Sequence, residues 1–225
     1  MRIFDTHAHL QDPAFDDVSA VLERAERAGV AGITVCGYDP ASNLQALELA
    51  SRSPLLFPAV GFHPHEAKDI TPVMLAELEA LAALPEVVGV GEIGLDFFRD
   101  HSPHDTQRRI LEAQLEIALR VGKPVSVHSR GAEDAALEPL SAYARAANWS
   151  PGARPVGVMH CFGGTLEQAL RYVEIGFLVS IACAVTYPRN DVARSIAARL
   201  PIEALVVETD SPYLPPHAPP SVRRR

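Results

Sequence analysis

Residues 87–128 read VVGVGEIGLDFFRDHSPHDTQRRILEAQLEIALRVGKPVSVH, and they contain one complete turn of the pattern that decides the fold. An apolar run at 87–91 precedes a helical stretch near 103–121, where Leu111, Leu115, Ala118 and Leu119 return at the three-to-four spacing of one buried face. Ser102-Pro103 offers a capping oxygen before a proline at the first helical position, and Gly122 stands where a left-handed residue closes a helix. A second apolar run, 124–128, follows at once. Strand, helix, strand in this order is a parallel βαβ unit.

The same alternation continues in both directions. Runs at 2–5, 32–36, 56–61, 155–160, 177–181 and 204–208 bring the total to eight, most of them apolar on both faces as helix-covered strands should be. Asp39-Pro40 and Thr71-Pro72 mark helix starts, and Gly29 and Gly176 mark helix ends. Eight parallel strands predict closure into a (β/α)8 barrel, as one domain over residues 1–214 with a proline- and arginine-rich tail at 215–225. The last run lies close to the end of the sequence. Seven full helices are therefore expected, with the eighth missing and an incomplete seam between the first and last units.

Composition narrows the class. With 225 residues, 48% of them hydrophobic, the chain can fill a sizeable core. Three cysteines without a C-x-x-C pair suggest neither a disulfide framework nor a thiolate zinc site. Asp5, His7 and His9 interrupt the N-terminus where a signal peptide needs an apolar run, and no long apolar stretch follows, so a cytoplasmic protein with no membrane contact is expected. No feature marks an obligate protein partner. A net charge of −8 argues against a broad surface that tracks duplex phosphates. It leaves room for an enzyme that draws one strand end into a metal site, since two divalent ions carry about four positive charges themselves.

The chemistry lies at the C-terminal ends of the strands. His7 and His9 follow the first run, His63 the third, Glu92 the fourth, His128 the fifth, His160 the sixth and Asp210 the eighth. An isolated H-x-H means little among nine histidines, but side chains from separate strands meet across the mouth of a barrel at this end. Imidazole with carboxylate suits zinc, manganese or iron, and no thiolate is placed to close the site. Glu92, central in the set, is the natural bridge between two ions.

The strings DTHAHL, GFHPHEA, GEIGLDFFRD, PVSVHSR, MHCFGG and VVETDSPYL occur in this order from residue 1 to about 214 and resemble the TatD family of metal-dependent hydrolases and deoxyribonucleases. The resemblance implies a TIM-type barrel of the amidohydrolase-like group. It implies His7, His9, Glu92, His128, His160 and Asp210 as ligands of two divalent ions (zinc, manganese or magnesium), and phosphodiester hydrolysis as the activity. Members usually continue past ETDSPYL with an arginine- and asparagine-containing loop and a helix, and an acidic residue often stands where this chain has Gly131.

Each residue then has an expected role. A metal-bound hydroxide attacks DNA, most simply at the end of a single strand, and the alternative substrate is a small amide, lactone or phosphoester. Asp210 and Glu92 are catalytic, Asp210 taking the water's proton, and the resemblance gives His63 a substrate or catalytic role. Arg130 and His65 are the candidates for substrate binding, with a salt bridge from Arg130 to Glu133 or Asp134 as the structural alternative. Asp5 and Asp96 are read as partners that orient ligating imidazoles. Phe97 and Phe98 either stack on a base or pack in the core or a lid. Cys161 is read as an inert thiol.

Overall fold

The computed structural model describes residues 2–217. Eight parallel strands pair in chain order: β1 (Ile3–Ala8), β2 (Val30–Cys36), β3 (Leu56–Val60), β4 (Gly89–Asp96), β5 (Val125–Arg130), β6 (Gly157–His160), β7 (Phe177–Ile181) and β8 (Leu205–Val207). Between them run seven α-helices: α1 (Val18–Arg27), α2 (Pro40–Ala50), α3 (Pro72–Ala82), α4 (His104–Val121), α5 (Glu133–Ala146), α6 (Leu166–Glu174) and α7 (Asp191–Arg199). This is the expected barrel, nearly closed. No helix follows β8 among the described residues, and most of the expected tail, from residue 218, lies outside them.

Local chemistry sets the helix boundaries. The side chain of Asp39 accepts from the Ser42 N–H in a capping box with Pro40 in the first turn, and the Thr71 hydroxyl accepts from the Met74 N–H ahead of Pro72. The third expected cap differs. Pro103 itself is the N-cap of α4 with no side-chain bond, because the Ser102 hydroxyl is spent donating to the His65 carbonyl while it accepts from the Lys68 N–H. Gly122 ends α4 at φ 68°, as its position predicted.

The largest buried cluster lies between sheet and helices, where Ile110, Leu111, Leu115, Ile117 and Ala118 of α4 pack with Val90, Ile93 and Leu95 of β4 and Val125 and Val127 of β5. Each fully buried leucine or isoleucine contributes about 1.5–3 kcal/mol. Such packing fixes the strands whose ends carry the site.

Strand β4 runs on to Asp96, past the expected end at 91, so Glu92 lies within it. Its glycines permit the crowding there. A Cβ on Gly94, at φ +148°, would lie 1.9 Å from the His128 carbonyl oxygen, and one on Gly91 would lie 2.6 Å from the Ser126 Cβ. Side chains of any size would push β4 away from β5.

The seam between β1 and β8 is closed by side chains and loop backbone in place of a regular ladder. The Asp5 carboxylate accepts from the Thr209 N–H (2.9 Å) and hydroxyl (2.7 Å), and the Thr6 hydroxyl donates to the Val207 carbonyl at 3.1 Å. Beyond β8, the Asp210 N–H donates to the His7 carbonyl and the His9 N–H to that of Ser211. No helix among the described residues is long and apolar enough to cross a membrane.

Candidate metal centre

His7 and His9 lie on β1 and just past it, both pointing into the barrel mouth, with their Nε2 atoms 3.1 Å apart. The Oε2 atom of Glu92 is 3.4 Å from each. Its other oxygen, Oε1, is 3.0 Å from His128 Nδ1, 3.5 Å from His63 Nε2 and 3.7 Å from His160 Nε2. Asp210 completes the ring, its Oδ1 3.7 Å from His9 Nε2 and 3.8 Å from His160 Nε2. The seven strand-end residues singled out from the sequence therefore meet at one centre, five histidines around Glu92 and Asp210 against two of them. Three sets within them are close enough to hold a cation: His7, His9 and Glu92; His7, His160 and Asp210; and His63, Glu92 and His128.

The outer contacts of the rings, hydrogen bonds at His9 and His128 and an ion-pair approach at His160, set which nitrogens are bare. His9 Nδ1 donates to the Cys36 carbonyl at 2.8 Å, so in the neutral ring Nε2 carries a lone pair toward the centre. His160 Nδ1 faces Glu208 Oε1 at 2.9 Å, and His128 Nε2 faces Asp96 Oδ2 at 3.3 Å, with the same consequence for their inner nitrogens. In their neutral forms these rings turn bare nitrogens on a carboxylate, an arrangement that calls for a cation between them, a proton in the metal-free protein or a divalent ion, so the donor set fits divalent metal. His63 differs. Its Nδ1 accepts the His65 N–H at 3.1 Å, so its Nε2 keeps the proton and faces the cavity as a donor.

Electrostatics agree with a cation-shaped gap. Burial pushes His7 down to about 4 and His63 down to about 3. Burial also disfavours charge on His160, yet Glu208 and Glu92 push it up to about 10. Against its own burial, Glu92 is held well below the usual carboxylate range by His63, His160, His128 and His7. Asp210 is pushed up to about 6 by burial. Its backbone, at φ +57°, is held in the left-handed region by the bonds to β1.

The residues around this centre settle several sequence alternatives. Asp96 accepts from His65 Nε2 at 2.9 Å and from the Phe98 and Arg99 N–H groups, besides facing His128. Asp5 touches the His7 backbone and Thr209, so it fixes the strand and not the imidazole ring. Glu208, which the sequence reading did not single out, is buried against His160 and accepts the Cys161 N–H at 2.6 Å. Its signal was the first acid of the ETD triplet, two positions before Asp210 on the same strand extension.

The centre opens into a cavity of about 840 Å³ whose walls include Tyr38, His65, Arg99, Arg130 and Tyr213. Arg130 makes no salt bridge to Glu133 or Asp134. Asp134 pairs instead with Arg171 at 2.9 Å, and the Arg130 guanidinium lies 4.0 Å over the Phe98 ring. Phe97 turns inward, stacked on His104 and packed on the core, whereas Phe98 is 66% exposed. Cys161 is mostly buried, its thiol pushed up above the usual range, as an inert thiol should be.

Residues 4–224 match the family model described as TatD related DNase. The uncharacterized metal-dependent hydrolase YabD of Bacillus subtilis is 35% identical over 96% of this chain and 82% of its own length. The 3'-5' ssDNA/RNA exonuclease TatD of Erwinia billingiae is 36% identical over 98% of this chain and 85% of its own. Among solved structures, the TatD homologue YjjV from Escherichia coli superposes with a TM-score of 0.87 at 35% identity, covering 96% of this chain and 82% of that one.

Proposed function

The chain belongs to the TatD family of metal-dependent hydrolases, and from that premise we propose that it hydrolyses phosphodiester bonds of DNA, releasing nucleotides from the ends of single strands. His7, His9, Glu92, His128, His160 and Asp210 would hold two divalent ions, zinc, manganese or magnesium. The observation that carries the reading is the division of Glu92, whose Oε2 faces His7 and His9 while Oε1 faces His128. A carboxylate so divided suits a bridge between two cations.

When bound, such ions supply a water acidic enough to attack near neutral pH and positive charge for the leaving oxygen. The protein supplies the remainder. Asp210, on the cavity wall, would take the proton of the attacking water at a carboxylate oxygen. His63, with its proton on Nε2, would donate to a phosphate oxygen. Arg130 has no carboxylate partner among the described residues, so its planar fork is available to a phosphate. His65, tied to Asp96, would line the path of the strand. The named activity of the Erwinia relative, on single-stranded DNA and RNA, supports the substrate class. The three unpaired cysteines support a cytoplasmic setting.

The test is nucleotide release from an end-labelled single-stranded oligonucleotide with each candidate ion, run beside a panel of small esters, lactones and amides. DNA hydrolysis that depends on added metal is expected. Turnover of a lactone or amide with no nucleotide release would overturn the proposal.

A further inference from the structure

Phe98 is a large aromatic side chain left 66% exposed, and it stands against Arg130, which lines the cavity at the metal centre. Its loop is held. The Phe98 and Arg99 N–H groups both donate to Asp96 Oδ1 at 2.9 Å, and the preceding Phe97 N–H donates to the Arg130 carbonyl at 2.9 Å. One face of the ring carries the Arg130 guanidinium at 4.0 Å. The acids expected to neutralise Arg130 are engaged elsewhere, Asp134 with Arg171 and Gln168, and Glu133 with the Gly131 N–H.

Building on the proposed nucleic-acid substrate, we propose that Phe98 and Arg130 form one stacked platform that receives an unpaired nucleobase beside the phosphate held at the metal centre. The two parts divide the nucleotide between them. The edge of the guanidinium presents parallel N–H donors to the phosphate, and the flat stack of ring and guanidinium offers a π-surface to the base. A base at the end of a duplex is held by its pairing partner and its stacked neighbour, so it must unpair before it can turn onto the platform. The platform therefore selects single strands by stacking, without reading sequence. It also explains why an acidic chain can take a polyanion: local cationic and aromatic contacts replace a broad basic surface.

The test measures binding and hydrolysis of short oligonucleotides by wild type, Phe98→Ala and Phe98→Trp, using intact single strands of DNA and RNA, a strand abasic at its terminal nucleotides, and a blunt duplex. Because stacking is typically worth about 1–3 kcal/mol per base, Phe98→Ala should weaken intact single strands by about 5- to 150-fold in Kd and KM. The abasic strand should be bound by Phe98→Ala almost as by wild type, the preference for single over double strands should shrink, and Phe98→Trp should restore both. DNA and RNA should lose alike, since the ring ignores the sugar. Equal losses on abasic and intact strands would overturn the platform, leaving Phe98 as a support for Arg130 alone. Unchanged binding by Phe98→Ala, with wild-type hydrolysis intact, would overturn the platform and leave the nuclease reading standing. A wild type that neither binds nor cleaves any strand would overturn both.

Discussion

At the scale of single residues, the centre depends on groups that cannot be exchanged for near neighbours. Glu92→Gln keeps the volume but replaces one oxygen by an NH2 that would oppose either His7 and His9 or His128. The expected outcome is a loss of at least about 10²–10³-fold in turnover, with bound metal reduced when measured by elemental analysis. Full metal content with wild-type turnover would remove Glu92 from the bridge. Glu208→Gln should leave the fold intact and weaken metal binding about 10- to 100-fold, because the His160 ring loses the carboxylate that fixes its tautomer. Competition with a chromogenic chelator would measure it. These two acids also mark what could be read from the sequence. Glu92 stood at the end of an apolar run and was visible. Glu208 looked like one more acid in ETD, because a residue that serves the outer nitrogen of an imidazole and a neighbouring N–H leaves no spacing pattern of its own.

Among the elements, the eight strands were legible because each is a short apolar run, and those after Gly29, Gly122 and Gly176 follow a helix closed by glycine. The extent of β4 was not. Gly89, Gly91 and Gly94 interrupt its apolar pattern, and their value lies in the close approach of β5, which no one-dimensional pattern displays. Gly94→Ala tests that account. With its φ of +148° and a Cβ position 1.9 Å from the His128 carbonyl oxygen, the substitution should cost about 2–5 kcal/mol through backbone strain and overpacking combined. A urea midpoint like that of wild type would contradict it. The start of α4 was misjudged for a related reason, since Ser102 was read as a local cap while its hydroxyl serves the backbone at His65 and Lys68, more than thirty positions away.

For the whole molecule, the buried histidines make the metal-free protein pH-sensitive in both directions. His7 and His63 have folded values of about 4 and about 3, below the ordinary 6.5, so stability falls as pH drops from 6.5 toward those values. His160, held at about 10, contributes stability that is complete below 6.5 and is lost as pH rises through 10. In chelator, the melting temperature should therefore peak near pH 6–7, and saturating zinc should raise it while flattening the alkaline limb, because bound metal replaces the proton on His160. A metal-free melting temperature that climbs steadily to pH 9 would refute the account. The seam between β1 and β8 has a further consequence, one of time. Asp5 and Thr209, which clasp the two ends, are 204 positions apart, and His7 and Asp210 stand just beyond them. At about 5–20 residues per second, a ribosome would need roughly 10–40 seconds to add the second half of that clasp after making the first. Until then the emerging polypeptide carries His9 and His160 without the Asp210 carboxylate that faces both. The full donor set is therefore withheld until synthesis has passed Asp210, and a messenger truncated upstream of that codon would yield a chain that lacks it at any metal concentration.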